Sequence, residues 1–121
     1  MRAWVLFLPL GGCFLFSGPI DAERLPKVLG DTLCHRLREC DRGEFEADYF
    51  DGRDCRLTQE RSITELVQLR DESGCSYDAD QARDAVKDIA SMDCDQFYEA
   101  VYVEGSFKEL QSVWSGCGGG T

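Results

Sequence analysis

Cysteine is the residue type that most constrains the fold of this chain. There are seven cysteines in 121 residues, and six lie in its later part, at Cys34, Cys40, Cys55, Cys75, Cys94 and Cys117. A content this high is typical of a disulfide framework formed in an oxidising compartment. No two of the six have C-x-x-C spacing, so the pattern indicates neither a zinc ribbon nor a thioredoxin-type redox pair. We therefore predict that these six cysteines form structural disulfides.

The first 22 residues have the features of an export signal. Arg2 is the only charged side chain before Asp21, and the residues from 3 to 16 are mainly apolar, with interruptions at Pro9 and two glycines. This run is too short and too interrupted for a membrane span of about 20 residues, but it suits the hydrophobic region of a signal sequence. The sequence therefore predicts that the protein is exported, with residues 1–22 as signal and anchor or linker region.

Two processing routes remain open for this region. The segment Leu10-Gly11-Gly12-Cys13 resembles the lipobox of bacterial lipoproteins, in which small residues precede a cysteine whose thiol takes the diacylglyceryl group. Lipidation of Cys13 would give stable membrane attachment through several acyl chains, and it would leave an even set of six cysteines. The alternative is cleavage after Ala22, which would discard Cys13 and release a soluble protein. We favour lipidation at Cys13.

The downstream chain has helical periodicity almost throughout. Apolar residues recur three and four positions apart, which predicts helices over 26–40, 43–50, 54–72, 79–93, 95–102 and 106–115, before a flexible glycine-rich tail at 118–121. Capping-box spacing predicts helix starts at Asp41, Asp78 and Ser106. We expect an all-α fold, a small bundle of five or six short helices in one domain over 23–117.

The core of this bundle is expected to be thin. Leu, Ile, Val and Phe make up only 20 of the 99 residues from Glu23 onward. A core of this size needs covalent support, and each disulfide contributes about 2–4 kcal/mol by restricting the unfolded chain.

Helix geometry restricts how the cysteines pair. Cys34 and Cys40 lie on one predicted helix with a rise of about 9 Å between them, which is too far for a disulfide. If the helices over 54–72 and 79–93 form an antiparallel hairpin, Cys55 and Cys94 lie at the same end of it. We therefore predict Cys55–Cys94 as the favoured pair, and the pairing of the other four cysteines stays open.

Catalytic and metal-binding patterns are weak. The single histidine, His35, follows Cys34, but adjacent side chains on a helix point about 100° apart and form a poor nucleophile pair. The acidic segment 48–54 fails as an EF-hand, because alignment on Gly52 puts Thr58 where the bidentate glutamate belongs. A weaker calcium site of another type is an alternative there. We predict no catalytic residue, no metal and no cofactor.

The charge balance limits the partners. The chain carries 13 Lys and Arg against 23 Asp and Glu, a formal net charge of −10. A charge of this sign argues against nucleic acid as a direct partner, because nucleic-acid binding depends on neutralising phosphates.

Four segments together resemble a group of small, acidic, cysteine-patterned helical proteins, often lipoproteins, found in myxobacteria and related bacteria. They are Leu10-Gly11-Gly12-Cys13, Cys34-x5-Cys40-Asp41, Gly74-Cys75-Ser76-Tyr77-Asp78 and Asp93-Cys94. The resemblance implies a location more than an activity, and it carries over no catalytic residue. We expect a cell-envelope lipoprotein, attached to the membrane through Cys13, with a non-catalytic domain that is structural or binds a protein partner. A soluble secreted effector or inhibitor is the alternative.

Overall fold

The computed structural model describes residues 18–118, so the lipobox with Cys13 lies outside the described residues. The elements in chain order are helix α1 (Leu25–Cys40), α2 (Arg42–Asp48), α3 (Gly52–Glu72), strand β1 (Ser76–Tyr77), α4 (Ala79–Ser91), α5 (Cys94–Tyr98), a π-helix (Glu99–Glu104), a 3₁₀-helix (Lys108–Val113) and strand β2 (Trp114–Ser115). The expected all-α class is confirmed, since the two short strands form the only ladder within residues 18–118.

Four of the helices have an aspartate as their N-cap residue. Each accepts a hydrogen bond from a backbone N–H in the first turn; these caps are Asp41, Asp51, Asp78 and Asp93. Such caps satisfy backbone N–H groups that have no partner inside the helix. The caps predicted at Asp41 and Asp78 are confirmed. The helix start predicted at Ser106 is wrong, because the backbone is extended at Phe107 and the following 3₁₀-helix has no side-chain cap.

Helices α1 and α3 pack closely in antiparallel directions. A Cβ atom added at Gly30 would lie 3.4 Å from Glu60 Cγ and 3.5 Å from Gln59 Cβ, which is van der Waals contact, so Gly30 lies directly against α3. Further along the same pair of helices, Cys34 of α1 is bonded to Cys55 of α3. The main partner of α3 is therefore α1.

The three disulfides join Cys34 to Cys55, Cys40 to Cys94 and Cys75 to Cys117. All six cysteines are thus paired as expected, but the favoured pair Cys55–Cys94 is wrong. That prediction assumed a hairpin of α3 and α4. Because α3 instead lies along α1, the cysteine opposite Cys55 is Cys34.

Two apolar clusters fill the domain. The larger contains Ile20, Leu25, Leu29, Ile63, Ala82, Ala85, Val86, Ile89, Val113 and Trp114. The smaller surrounds the Cys34–Cys55 disulfide and contains Leu37, Phe45 and Phe97. This second cluster joins α1, α2 and α3 to α5.

Ile20 belongs to the larger cluster although it precedes the first helix. Its side chain is fully buried. Its backbone N–H donates to the carbonyl of Ala79 at 3.1 Å, and its carbonyl accepts from the Tyr77 hydroxyl at 2.6 Å. The packed domain therefore includes residues on the N-terminal side of the expected boundary at residue 23.

The C-terminal part of the domain is fastened to the turn after α3. Strand β2 pairs with β1 in antiparallel register, with Tyr77 opposite Trp114. The backbone N–H of Gly118, where a flexible tail was expected to begin, donates to the Ser73 carbonyl at 3.2 Å. Gly118 is therefore held to the domain, and residues 119–121 lie outside the described part of the chain.

Candidate binding groove

The chain leaves the α-helical path after Tyr98. Residues Glu99–Glu104 form a π-helix that ends at Gly105, whose φ of 75° lies in the left-handed region that glycine adopts easily. The helix predicted over 95–102 is therefore α-helical only as far as Tyr98. Turns of π-helix are rare in proteins, and those that occur are often found at functional sites.

The last residue of α5 and the π-helix together present a tyrosine ridge, which consists of Tyr98, Tyr102 and Val103. The ring centroids of the two tyrosines lie 4.6 Å apart, and the exposed fractions of Tyr98 and Val103 are 53% and 71%. Contiguous exposed apolar side chains of this kind mark interaction sites, whereas isolated ones are ordinary.

A groove of about 240 Å³ lies between the π-helix and helices α1 to α3. Its lining is mainly apolar and aromatic: Leu33, Leu37, Asp48, Tyr49, Gln59, Phe97, Ala100, Val101, Tyr102, Gly105, Ser106 and Phe107. Gln59 Nε2 donates to the Tyr49 hydroxyl at 2.9 Å, so two of the polar groups that line the groove form a hydrogen bond with each other. Small-molecule sites usually measure about 300–1,000 Å³, so this groove suits one or two inserted side chains better than a cofactor.

Carboxylates of α2 and its cap lie next to Tyr102. Burial raises the pKa of the Tyr102 hydroxyl to about 12, with further contributions from the nearby charges of Asp41 and Glu44 and a hydrogen bond to Asp41. The pKa of Glu44 is raised by a hydrogen bond to the Asp48 side chain and by repulsion from Asp48 and then Asp41. The groove therefore has a negatively charged edge whose carboxylates repel one another, and a cation bound there would relieve this repulsion.

The other residues considered from sequence lie away from this groove or serve the fold. His35 is exposed and lies 3.3 Å from the Glu39 carboxylate, while its neighbour Cys34 is held in a disulfide. In the acidic segment 48–54, Asp51 caps α3, and Asp54 accepts from the backbone N–H of Phe50 at 2.8 Å. Within residues 18–118, no group of three or more His, Cys, Asp or Glu side chains is arranged to hold a metal ion.

No protein-family model, curated protein or solved structure matches this chain. The three disulfides indicate an oxidising, extracytoplasmic setting. None of the helices between residues 18 and 118 combines the length and the apolar character needed to cross a membrane.

The tyrosine ridge is the feature that sequence reasoning missed. Phe97 and Val101 form the inward stripe that periodicity indicates, but Tyr98, Tyr102 and Val103 add a second apolar face. A short helical segment in a small domain needs only one apolar face for packing. The surplus aromatic face was therefore a usable signal of an interaction surface.

Proposed function

We propose that this protein is an exported cell-envelope lipoprotein, anchored through Cys13, whose helical domain is a non-catalytic binding module. Its ligand is a cationic segment of another protein, with Lys or Arg side chains next to an aliphatic or aromatic one. The lipid anchor and the binding groove are each supported by a separate structural feature.

The anchor is supported by the position of Ile20. Cleavage after Ala22, the alternative route, would remove a fully buried side chain and both of its hydrogen-bonding backbone groups from the folded domain. Cleavage before Cys13 leaves this segment in place. A domain with a thin core is expected to tolerate the loss of Ile20 poorly, because burying such a side chain contributes about 1.5–3 kcal/mol.

The binding function is supported by the exposed tyrosine ridge beside the acidic edge of the groove, the observation that carries this part of the proposal. Tyrosine rings attract Lys and Arg through cation–π contacts, and the carboxylates at the edge add Coulomb attraction. The apolar floor of the groove accepts an aliphatic or aromatic anchor from the same segment. A net charge of −10 for the whole chain favours the approach of a basic partner over an acidic one.

The anchor is tested by the mass of the native N-terminal peptide and by partition between detergent and water. Lipidation predicts a modified Cys13 at the mature N-terminus, recovery in the detergent phase, and a shift of a Cys13→Ala variant to the aqueous phase. A native N-terminus at Glu23 would contradict the anchor and favour the soluble secreted effector or inhibitor.

Binding is tested by calorimetry with two synthetic peptides, one carrying Lys and Leu in alternation and the other carrying Glu in place of Lys. We expect the basic peptide alone to bind, with an affinity that falls as salt is raised. Tyr102→Ser should weaken binding, because Tyr102 belongs to the tyrosine ridge and also lines the groove. Phe50→Ser is the control, because Phe50 is also an exposed aromatic residue (95%, against 42% for Tyr102) but does not line the groove. Equal binding of both peptides, or equal effects of both substitutions, would contradict the proposal.

A further inference from the structure

The Cys40–Cys94 disulfide differs from the other two in its surroundings. It joins the last residue of α1 to the first residue of α5. Cys94 is exposed and Cys40 is half-buried, whereas both residues of Cys34–Cys55 are buried. Cys94 is therefore the more exposed end of this disulfide and the one that an external thiol meets first.

A guanidinium group lies against this disulfide. Arg36 Nη2 lies 3.3 Å from Cys40 Sγ and 4.0 Å from Cys94 Sγ, both within hydrogen-bonding range of sulfur. The Arg36 side chain is only 14% exposed, and within residues 18–118 its Nε has no hydrogen-bond partner. Among the same residues, no side-chain hydrogen bond reaches a sulfur atom of the other two disulfides.

Arg36 is partly neutralised but is not fully paired. Its Nη1 contacts the carboxylate of Glu39, whose side chain is 49% exposed, and its Nη2 also donates to the Met92 carbonyl. A half-exposed carboxylate is screened by water, so much of the positive charge remains available on the sulfur side. A partly buried arginine beside sulfur is the environment that stabilises a thiolate.

We propose that Cys40–Cys94 is an exchange-competent disulfide that reacts with a protein dithiol, and that Arg36 stabilises the departing Cys40 thiolate. The dithiol's first thiolate supplies an electron pair to Cys94 Sγ and forms a new S–S bond there. The electron pair of the old bond leaves with Cys40 Sγ, next to Arg36.

The second thiolate of the dithiol then completes the reaction. It attacks the sulfur of its own partner thiol in the mixed disulfide and releases Cys94 as a thiolate. Two electrons have passed from the dithiol to Cys40–Cys94, and the two protons lost by the dithiol balance those taken up by the two cysteines. This inference is independent of the anchor and of the binding groove.

The chain contains its own control in Cys75–Cys117. Cys117 is exposed and Cys75 is half-buried, as in Cys94 and Cys40, so access is matched while the arginine contact is absent. Dithiothreitol serves as the dithiol probe, in the full chain with Cys13→Ala so that every free thiol comes from an opened disulfide. Thiols are blocked with N-ethylmaleimide at intervals and located by peptide mapping.

We expect Cys40 and Cys94 to be labelled before Cys75 and Cys117. Loss of the charge in Arg36→Gln should lower the rate at Cys40–Cys94 by about three- to tenfold, as expected when a charge-assisted hydrogen bond is half-formed in the transition state. Arg36→Lys keeps the positive charge, so Cys40–Cys94 should open at nearly the rate seen with Arg36.

Glu39→Gln separates the electrostatic role of Arg36 from a merely structural one. It removes the competing carboxylate and should raise the rate at Cys40–Cys94 alone, whereas loss of helix packing would also expose Cys34–Cys55, which lies in the apolar cluster against which Cys40 packs. Equal opening of Cys40–Cys94 and Cys75–Cys117 in the Cys13→Ala chain would overturn the proposal, as would an unchanged or faster rate in Arg36→Gln. If Arg36→Gln fails to fold, as judged by circular dichroism, the order of opening and the Glu39→Gln rate decide the question.

Discussion

The position of Ile20 gives a sharp test of where the mature domain begins. A chain that starts at Glu23 loses this buried side chain, which is worth about 1.5–3 kcal/mol. It also leaves the Tyr77 hydroxyl and the Ala79 carbonyl without the partners that Ile20 provides, at about 1 kcal/mol each. We therefore expect the free energy of unfolding to be about 4 kcal/mol lower than in a chain that starts at Gly18. The total free energy of unfolding of a small domain is only about 5–15 kcal/mol.

The comparison is made by urea unfolding with tryptophan fluorescence. Trp114 is 9% exposed and is the single tryptophan in both shortened chains, because Trp4 is absent from each. The expected loss corresponds to a midpoint lower by about 2 M urea for a typical small domain. Ile20→Ala in the full chain should cost about 2–5 kcal/mol by itself. Equal midpoints for the two shortened chains would refute the assignment of Ile20 to the core and remove the main support for the lipid anchor.

Three further expectations concern charge and covalent structure. Burial, followed by the charges of nearby aspartates, raises the pKa of Tyr77 to about 12, so its contribution to stability is complete below pH 10 and is lost as the pH rises through about 12. Tyr77→Phe should remove one late step from the tyrosinate absorbance titration. The raised pKa of Glu44 means that its hydrogen bond to Asp48 favours the fold at acid pH and is lost as the pH rises through the folded pKa. Glu44→Gln should therefore raise the thermal midpoint at neutral pH and leave it unchanged in acid. Replacing both Cys34 and Cys55 by Ser removes a crosslink between residues 21 positions apart and should lower the free energy of unfolding in denaturant by about 3 kcal/mol. An unchanged denaturation midpoint would contradict this expectation.

The helices were predictable because periodicity depends on local side-chain spacing. The predicted helix over 26–40 matches Leu25–Cys40, and that over 54–72 matches Gly52–Glu72 within two residues. The last third was less predictable. A single π-helical turn and a two-residue strand are too short to give a distinct period, so residues 99–102 of the π-helix and the strand Trp114–Ser115 were expected to be α-helical.

The disulfide pairing and the groove depend on contacts between distant segments, which local patterns do not specify. Whether Cys55 meets Cys34 or Cys94 is decided by which helix lies along α3, and that helix is α1, whose Gly30 lies against Gln59 and Glu60. A helical pattern identifies Gly30 as a tolerated interior glycine but does not reveal its partner. The groove likewise forms only when the chain from Phe97 onward returns to α1.

The disulfides also determine what proteolytic cleavage does to the domain. The loops closed by Cys34–Cys55, Cys40–Cys94 and Cys75–Cys117 overlap in succession, so each peptide bond from residue 34 to residue 117 lies inside at least one loop. A protease that cleaves once anywhere in this interval, for example beside the fully accessible Phe50, leaves two pieces that are still covalently joined. A nicked molecule therefore stays a single molecule, and in an environment rich in proteases one cut does not release a fragment.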